Sequence, residues 1–372
     1  MTILVAAIAL AMASPVAAGN KCRKAPALTS ADYLAPGPYA VSQRTYTFVD
    51  ESRPTPANGA FPGAPSRTLV TEVWFPATSV GGALVDERGA PYPLVMSSHG
   101  FLSNRVGLTY LAEHLASRGY VVGSVDYPLS NIGAPGGATA TDVHNQPGDL
   151  SFARDRIVER LGAVIDPERL GAQGLSLGGL TTELATFHVD LRDRRIAAAV
   201  ALAPPGCFFT KRFFKSSRTP FMVVHGDDDQ IVPYRENGRR AFTFARSPKH
   251  LVALERGSHT GFSTFARAQD GSTHIDVVGC VAVLQNPPLG ADGFADLGGT
   301  REGISLDPKR CPDICPDGLP DHPSMAGARQ HDLTRIAVAA FFEAYLRDDV
   351  GARCFLRKTL RREHDDVVVT GR

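Results

Sequence analysis

A surplus of charge of either sign is what this sequence most lacks. Lys and Arg number 39 against 38 Asp and Glu, a formal net charge of +1 over 372 residues. No basic excess is available to neutralise a nucleic-acid backbone, so no nucleic-acid partner is expected. Long apolar runs are also scarce. Residues 2–18 form the one extended apolar stretch, ending in Pro15-Val16-Ala17-Ala18. It is short for a membrane span and reads as a secretory signal peptide (1–18) cleaved after Ala18, although no Lys or Arg stands in front of it. No later segment approaches transmembrane length, so no stable membrane span is expected, and the protein is expected to be secreted or periplasmic. Cysteine is limited to Cys22, Cys207, Cys280, Cys311, Cys315 and Cys354, all beyond the signal. An even number in an exported chain implies disulfides, but sequence cannot choose among the connectivities. Cys280, Cys311 and Cys315 share one Gly/Pro-rich stretch, where at least one bridge is expected. Together with His322 the cysteines match no usual zinc spacing, and no metal is expected.

Residues 19–43 are Pro/Ala-rich and read as an extended lead-in, and 44–350 read as one domain. The tail, 351–372, ends charged and then β-branched at Val367-Val368-Val369, without a functional reading. Residues 68–76 alternate with period two and predict an outer antiparallel strand. Segments 93–97, 120–125, 196–202, 221–224 and 251–254 are short apolar runs of the buried-strand type. Helical patterns at 106–117, 149–161, 180–187 and 234–245 lie between them. The alternation predicts an α/β fold: a mostly parallel central sheet with helices on both faces. Such a sheet carries its active site at the carboxyl ends of the strands. Residues 263–324 break the pattern. Rich in Gly, Pro, Asp and Cys, they predict an irregular Cys-containing insertion, a lid or a disulfide-tied excursion, before the last helix at 326–347.

Gly174-Leu175-Ser176-Leu177-Gly178 follows a short apolar run, 169–173, and precedes a helical stretch, 179–188. In that context G-x-S-x-G marks a nucleophile elbow, a sharp strand-to-helix turn that exposes a serine hydroxyl. The flanking glycines are needed because side chains there would meet neighbouring backbone. The pattern is cheap in a chain with 36 glycines, so the partners of the serine decide its meaning. An acid is expected after a later strand and a histidine after the next. Residues 220–226 run into Asp227-Asp228-Asp229, and 251–255 run into Gly257-Ser258-His259. His259 is the expected general base and Asp229 the acid that holds its tautomer. Asp228 is next in line, since aspartate clusters also serve as turns and caps. Two backbone N–H groups are expected to form the oxyanion hole, one from Leu177 and one from Phe101 in His99-Gly100-Phe101. His99 and His225 read as buried structural histidines and Asp126 as a structural hydrogen-bond partner.

Residues 71–77 (Thr-Glu-Val-Trp-Phe-Pro-Ala), 98–101 (Ser-His-Gly-Phe), 115–122 (Leu-Ala-Ser-Arg-Gly-Tyr-Val-Val) and 146–149 (Gln-Pro-Gly-Asp) extend the pattern around the serine motif. With them the chain resembles the dienelactone-hydrolase-like group of the α/β-hydrolase superfamily, which includes relatives of plasma platelet-activating-factor acetylhydrolase and bacterial polyester hydrolases. The likeness covers about 44–262 and the helix near 326–347. It implies ester hydrolysis without metal or organic cofactor, with Phe101 and Leu177 as oxyanion donors. Dienelactone hydrolases proper use a cysteine where this chain has Ser176, and the Cys-bearing insertion lies outside the common pattern.

The expected activity is therefore a serine esterase working through an acyl-enzyme on a hydrophobic small-molecule or polymeric ester. Phe101, Tyr127, Phe208, Phe209 and Phe262 are candidate pocket residues, although the Phe208–Phe214 stretch reads equally as packing of a short helix. An acyltransferase or small-peptide peptidase shares the same nucleophile, and a binding protein shares the same scaffold. Sequence gives no oligomeric state.

Overall fold

The computed structural model describes residues 22, 24–286, 295–305, 307–315, 318 and 320–371; the expected signal peptide, 1–18, lies outside them. Among the described residues nine strands form one sheet in the order β1-β2-β4-β3-β5-β6-β7-β8-β9. The strands are β1 (Ala40–Asp50), β2 (Arg67–Ala77), β3 (Tyr92–Ser98), β4 (Val121–Val125), β5 (Ile165–Leu175), β6 (Ile196–Leu202), β7 (Phe221–Gly226), β8 (Lys249–Leu254) and β9 (Val367–Gly371). β3 to β8 run parallel. β2 is antiparallel to β1 and β4, and β9 is antiparallel to β8.

Parallel strands are buried on both faces, so they need apolar residues at successive positions rather than alternate ones. β3, β4 and β7 are buried along their whole length. Successive side chains then serve opposite layers. Met96, Val121 and Val223 meet α2 (Gln146–Leu161), α3 (Leu177–Phe187) and α4 (Gly238–Phe244) through Leu150, Ile157, Leu184 and Ala241. Val95, Val122 and Met222 meet α1 (Thr109–Ser117) and α6 (Gly327–Leu346) through Leu111, Leu115, Ile336 and Phe341. This is the α/β-hydrolase arrangement expected from the sequence.

One ion network ties β2 to α2. The fully buried Arg67 donates to Asp149 at 2.7 and 2.6 Å and to Asp142 at 2.6 Å. A guanidinium out of water needs such paired carboxylates, which gives Asp149 of the 146–149 motif its structural work.

Three expectations are corrected. The lead-in ends earlier than residue 43, because β1 begins at Ala40. The tail is part of the domain: Val367-Val368-Val369 lies in β9, paired with Leu254-Ala253-Val252 of β8. The insertion is only partly irregular, since α5 (Asp276–Gln285) lies inside it. All six cysteines are paired, as Cys22–Cys354, Cys207–Cys311 and Cys280–Cys315. The bridge expected within the insertion is Cys280–Cys315.

Candidate active site

β5 ends at Leu175 and α3 starts at Leu177, which leaves Ser176 alone in the turn. Its backbone sits at φ +55° and ψ −120°, a conformation uncommon for a residue with a side chain. Hydrogen bonds from Ser176 N–H to the Leu202 carbonyl and from Leu180 N–H to the Ser176 carbonyl, both 2.9 Å, hold it there. A Cβ on Gly174 would collide with the Gly178 carbonyl, and one on Gly178 with the Ser98 carbonyl. Both glycines of the motif are therefore dictated by backbone contact.

The three aspartates after β7 go separate ways. Asp227 Oδ1 accepts the Arg256 N–H at 2.7 Å. Asp228 faces His274 and His322. Asp229 alone reaches His259, accepting from Nδ1 at 2.7 Å on Oδ2. Its Oδ1 accepts the N–H groups of Ile231 and Val232 at 3.0 and 2.6 Å, so the loop folds around the carboxylate. His225 Nε2 lies 3.1 Å from Asp229 Oδ2 and 2.8 Å from the Val232 carbonyl. Burial alone would raise the Asp229 pKa, but His259 and His225 together pull it well below the usual carboxylate range. Burial likewise opposes protonation of His259, yet the Asp229 charge and hydrogen bond, with Asp276 beyond, raise its pKa above the ordinary imidazole value. With Nδ1 committed to Asp229, Nε2 is the nitrogen free to take a proton.

Ser176 and His259 line one cavity. No hydrogen bond joins Ser176 Oγ to His259, a contact that such pairs often form only with substrate present. Phe101 N–H and Leu177 N–H make no backbone hydrogen bond among the described residues. His99 explains the first of these. Tyr127 N–H donates to its Nε2 at 3.1 Å, so Nδ1 carries the proton and donates to the Gly100 carbonyl at 2.8 Å. Ser103 N–H donates to the same carbonyl at 3.1 Å. In a trans peptide the N–H points opposite to the C=O, so fixing the Gly100 carbonyl turns the Phe101 N–H the other way. Burial lowers the His99 pKa and keeps the ring neutral for this task.

Asp276 has no counterpart in the sequence reading. It sits at the first turn of α5, buried, and accepts from Gln230 N–H and His259 N–H at 3.1 Å each and Thr260 N–H at 2.6 Å. One carboxylate from the insertion thus fastens the acid loop to the base loop. Gln330 on α6 holds the base loop from the other side, accepting from Ser258 N–H at 3.1 Å and donating to its carbonyl at 2.7 Å.

The candidate pocket aromatics divide. Phe101 lines both cavities that meet at Ser176, and Phe208 lines one. Tyr127, Phe209 and Phe262 do not line them; all three are fully buried in the core. Tyr127 hydrogen-bonds Ser98 Oγ at 2.6 Å, and Phe209 stacks on Phe213 with centroids 3.6 Å apart. One cavity, of about 210 Å³, lies beside Leu177; the other, of about 510 Å³, lies beside His259. A larger hollow of about 870 Å³ beside β1 contains none of these residues.

Asp228, His274 and His322 place potential metal-ligand atoms within 4.8 Å of one another. Asp276 N–H donates to His274 Nδ1 at 3.2 Å, so Nε2 carries the ring proton and points it at Asp228 Oδ2, 3.3 Å away. In this arrangement the cluster is a hydrogen-bonded clasp in which His274 Nε2 carries a proton where a metal ligand needs a lone pair.

Comparison with known proteins adds a lineage to this geometry. Residues 81–275, just over half of the chain, match a family model described as PETase, PET hydrolase-like. Lipase 1 of Moraxella sp. (strain TA144) is 28% identical over 163 residues, 43% of this chain and 46% of the lipase, so the match spans less than half of that relative. A cutinase of Thermobifida fusca (strain YX) is 24% identical over 268 residues, 70% of this chain and 75% of the cutinase. The bis(hydroxyethyl) terephthalate hydrolase of Streptomyces coelicolor is 26% identical over 251 residues, 66% of this chain and 68% of that protein. Among solved structures, a ferulic acid esterase from Streptomyces cinnamoneus superposes with a TM-score of 0.55 at 23% identity. That match covers 84% of this chain and 92% of the esterase, a likeness of fold.

Proposed function

The chain belongs to the PET hydrolase-like family, and from that premise we propose that it is a serine carboxylic-ester hydrolase acting on a hydrophobic small or medium ester. The observation that carries the reading is a strained serine sharing a cavity with a histidine whose far nitrogen is held by a buried carboxylate. Relatives named lipase, cutinase and bis(hydroxyethyl) terephthalate hydrolase agree with it.

In this reading His259 Nε2 takes the Ser176 proton as Oγ attacks the ester carbonyl. The tetrahedral oxyanion is held by the N–H groups of Phe101 and Leu177, the latter at the positive end of α3. His259 returns the proton to the leaving alcohol, and the acyl-enzyme is then cleared by a water that His259 deprotonates. Asp229 stays ionised throughout and stabilises the imidazolium. Three disulfides support a working location in an oxidising compartment, secreted or periplasmic. Among the described residues no helix is long and apolar enough to cross a membrane.

Ser176→Ala tests the reading. Turnover of short p-nitrophenyl esters should fall by on the order of 10⁶-fold, with the circular-dichroism spectrum unchanged. Retained turnover in a folded variant would sink it.

A further inference from the structure

The two cavities at Ser176 are not equivalent. In any reaction of the proposed kind the leaving alcohol must face His259, because that imidazole returns its proton. His259 lines the 510 Å³ cavity only. The 210 Å³ cavity is lined by Ser176 and Leu177 but not by His259, which leaves it for the acyl group.

That smaller chamber is walled by the insertion. Val283, Cys311, Pro312 and Ile314 come from it and close over Phe208 and Ile231. The wall is anchored three times. Cys207–Cys311 ties it to the segment after β6, and Cys280–Cys315 ties its two arms together. Cys315 N–H donates to the Gln230 carbonyl at 2.9 Å, beside the acid. Ile231, Val232, Cys280 and Cys315 form a small core of their own under Val283 and Ile314. Among the described residues, the side chains that line the chamber are apolar apart from Ser176 and Asn237. Asn237 is largely committed elsewhere: Oδ1 accepts from Gly206 N–H at 2.9 Å and Cys207 N–H at 3.0 Å, and one Nδ2 hydrogen is donated to the Pro233 carbonyl at 2.9 Å. An apolar cavity of about 150 Å³ takes one benzene ring. The larger cavity adds Ser103, Asn104, Ser263 and Thr264 to a lining that is otherwise mostly apolar.

We propose that the disulfide-tied insertion is the specificity element of this site, restricting the acyl side to one compact apolar group, a single aromatic ring or a short aliphatic chain, while the alcohol side takes larger and more polar groups. The inference rests on the esterase reading. Ile314, on the insertion and in the chamber's lining, is a residue whose size changes the room left for the acyl group.

The test is kcat/KM for p-nitrophenyl esters from acetate to palmitate plus benzoate, and for hexanoate esters of a series of alcohols. Wild type should favour butanoate, hexanoate and benzoate over palmitate by at least about tenfold. Ile314→Trp should lower the hexanoate-to-acetate and benzoate-to-acetate ratios at least about tenfold, and Ile314→Ala should move the optimum to longer chains. Phe265→Ala, in the other cavity, should alter preference among alcohols without moving the acyl optimum. A flat acyl profile, or Ile314 variants that change alcohol preference instead, would overturn this proposal alone. No turnover of any ester would overturn it together with the esterase reading.

Discussion

His259 is pulled two ways, by burial that favours the neutral ring and by Asp229 that favours the charged one, and the charge prevails. As the proposed general base it must be unprotonated, so its raised pKa moves the acid limb of the activity profile upwards. We expect kcat/KM to fall as pH drops through a midpoint above the ordinary histidine value near 6.5; a midpoint below it would contradict the assigned hydrogen bond. Among the adjacent aspartates the expected outcome is asymmetric. Asp229→Asn should lower kcat by on the order of 10⁴-fold, whereas Asp228→Asn should retain turnover of the same order as wild type, since Asp228 faces His274 and His322. Steady-state kinetics on one short ester checks both. That Ser176, Asp229 and His259 come together at one end of the sheet was legible, because each falls just after an apolar run in the expected order. Tyr127, Phe209 and Phe262 were misplaced because an aromatic after a strand looks the same in sequence whether it turns into the pocket or the core.

Elements buried on both faces announce themselves. β3, β4 and β6 to β8 are continuous apolar runs, and each was located within a few residues. The sheet edges were not. β1 exposes much of one side and carries Gln43, Arg44 and Thr45 in mid-strand, so it lacks an apolar run to notice. β9 is a short edge strand whose meaning depends on β8, over a hundred residues earlier. Asp276 was missed for the same physical reason: its partners lie 46, 17 and 16 residues away, and nothing local distinguishes it from any helix-starting acid. The apolar run after it was the available signal. Replacing Asp276 with Ala leaves the buried N–H groups of His259 and Thr260 and the part-buried one of Gln230 without an acceptor, and each buried one costs about 1–3 kcal/mol. Urea denaturation should therefore show a loss of at least about 2 kcal/mol, with kcat reduced as the Asp229 and His259 loops separate. A variant of unchanged stability would remove Asp276 from that role.

At the scale of the whole molecule, three disulfides join parts that the sheet does not. Cys22–Cys354 spans 332 residues and pins the chain's beginning to the region before β9. Closing so long a loop in the unfolded chain is typically worth about 2–5 kcal/mol. Cys22→Ser with Cys354→Ser should lower stability by that amount in guanidinium denaturation and leave kcat/KM unchanged, because neither residue approaches Ser176. The other two bridges secure the insertion over the acid loop, so fold and site are less separable here than the alternation of strands and helices implies. The central claim concerns one atom, the Ser176 oxygen. Labelling the native protein with a fluorophosphonate and mapping the adduct by mass spectrometry addresses it most directly. A single adduct on Ser176 that is lost in His259→Ala is the expected result; an unlabelled protein, or an adduct elsewhere, would contradict the proposed nucleophile.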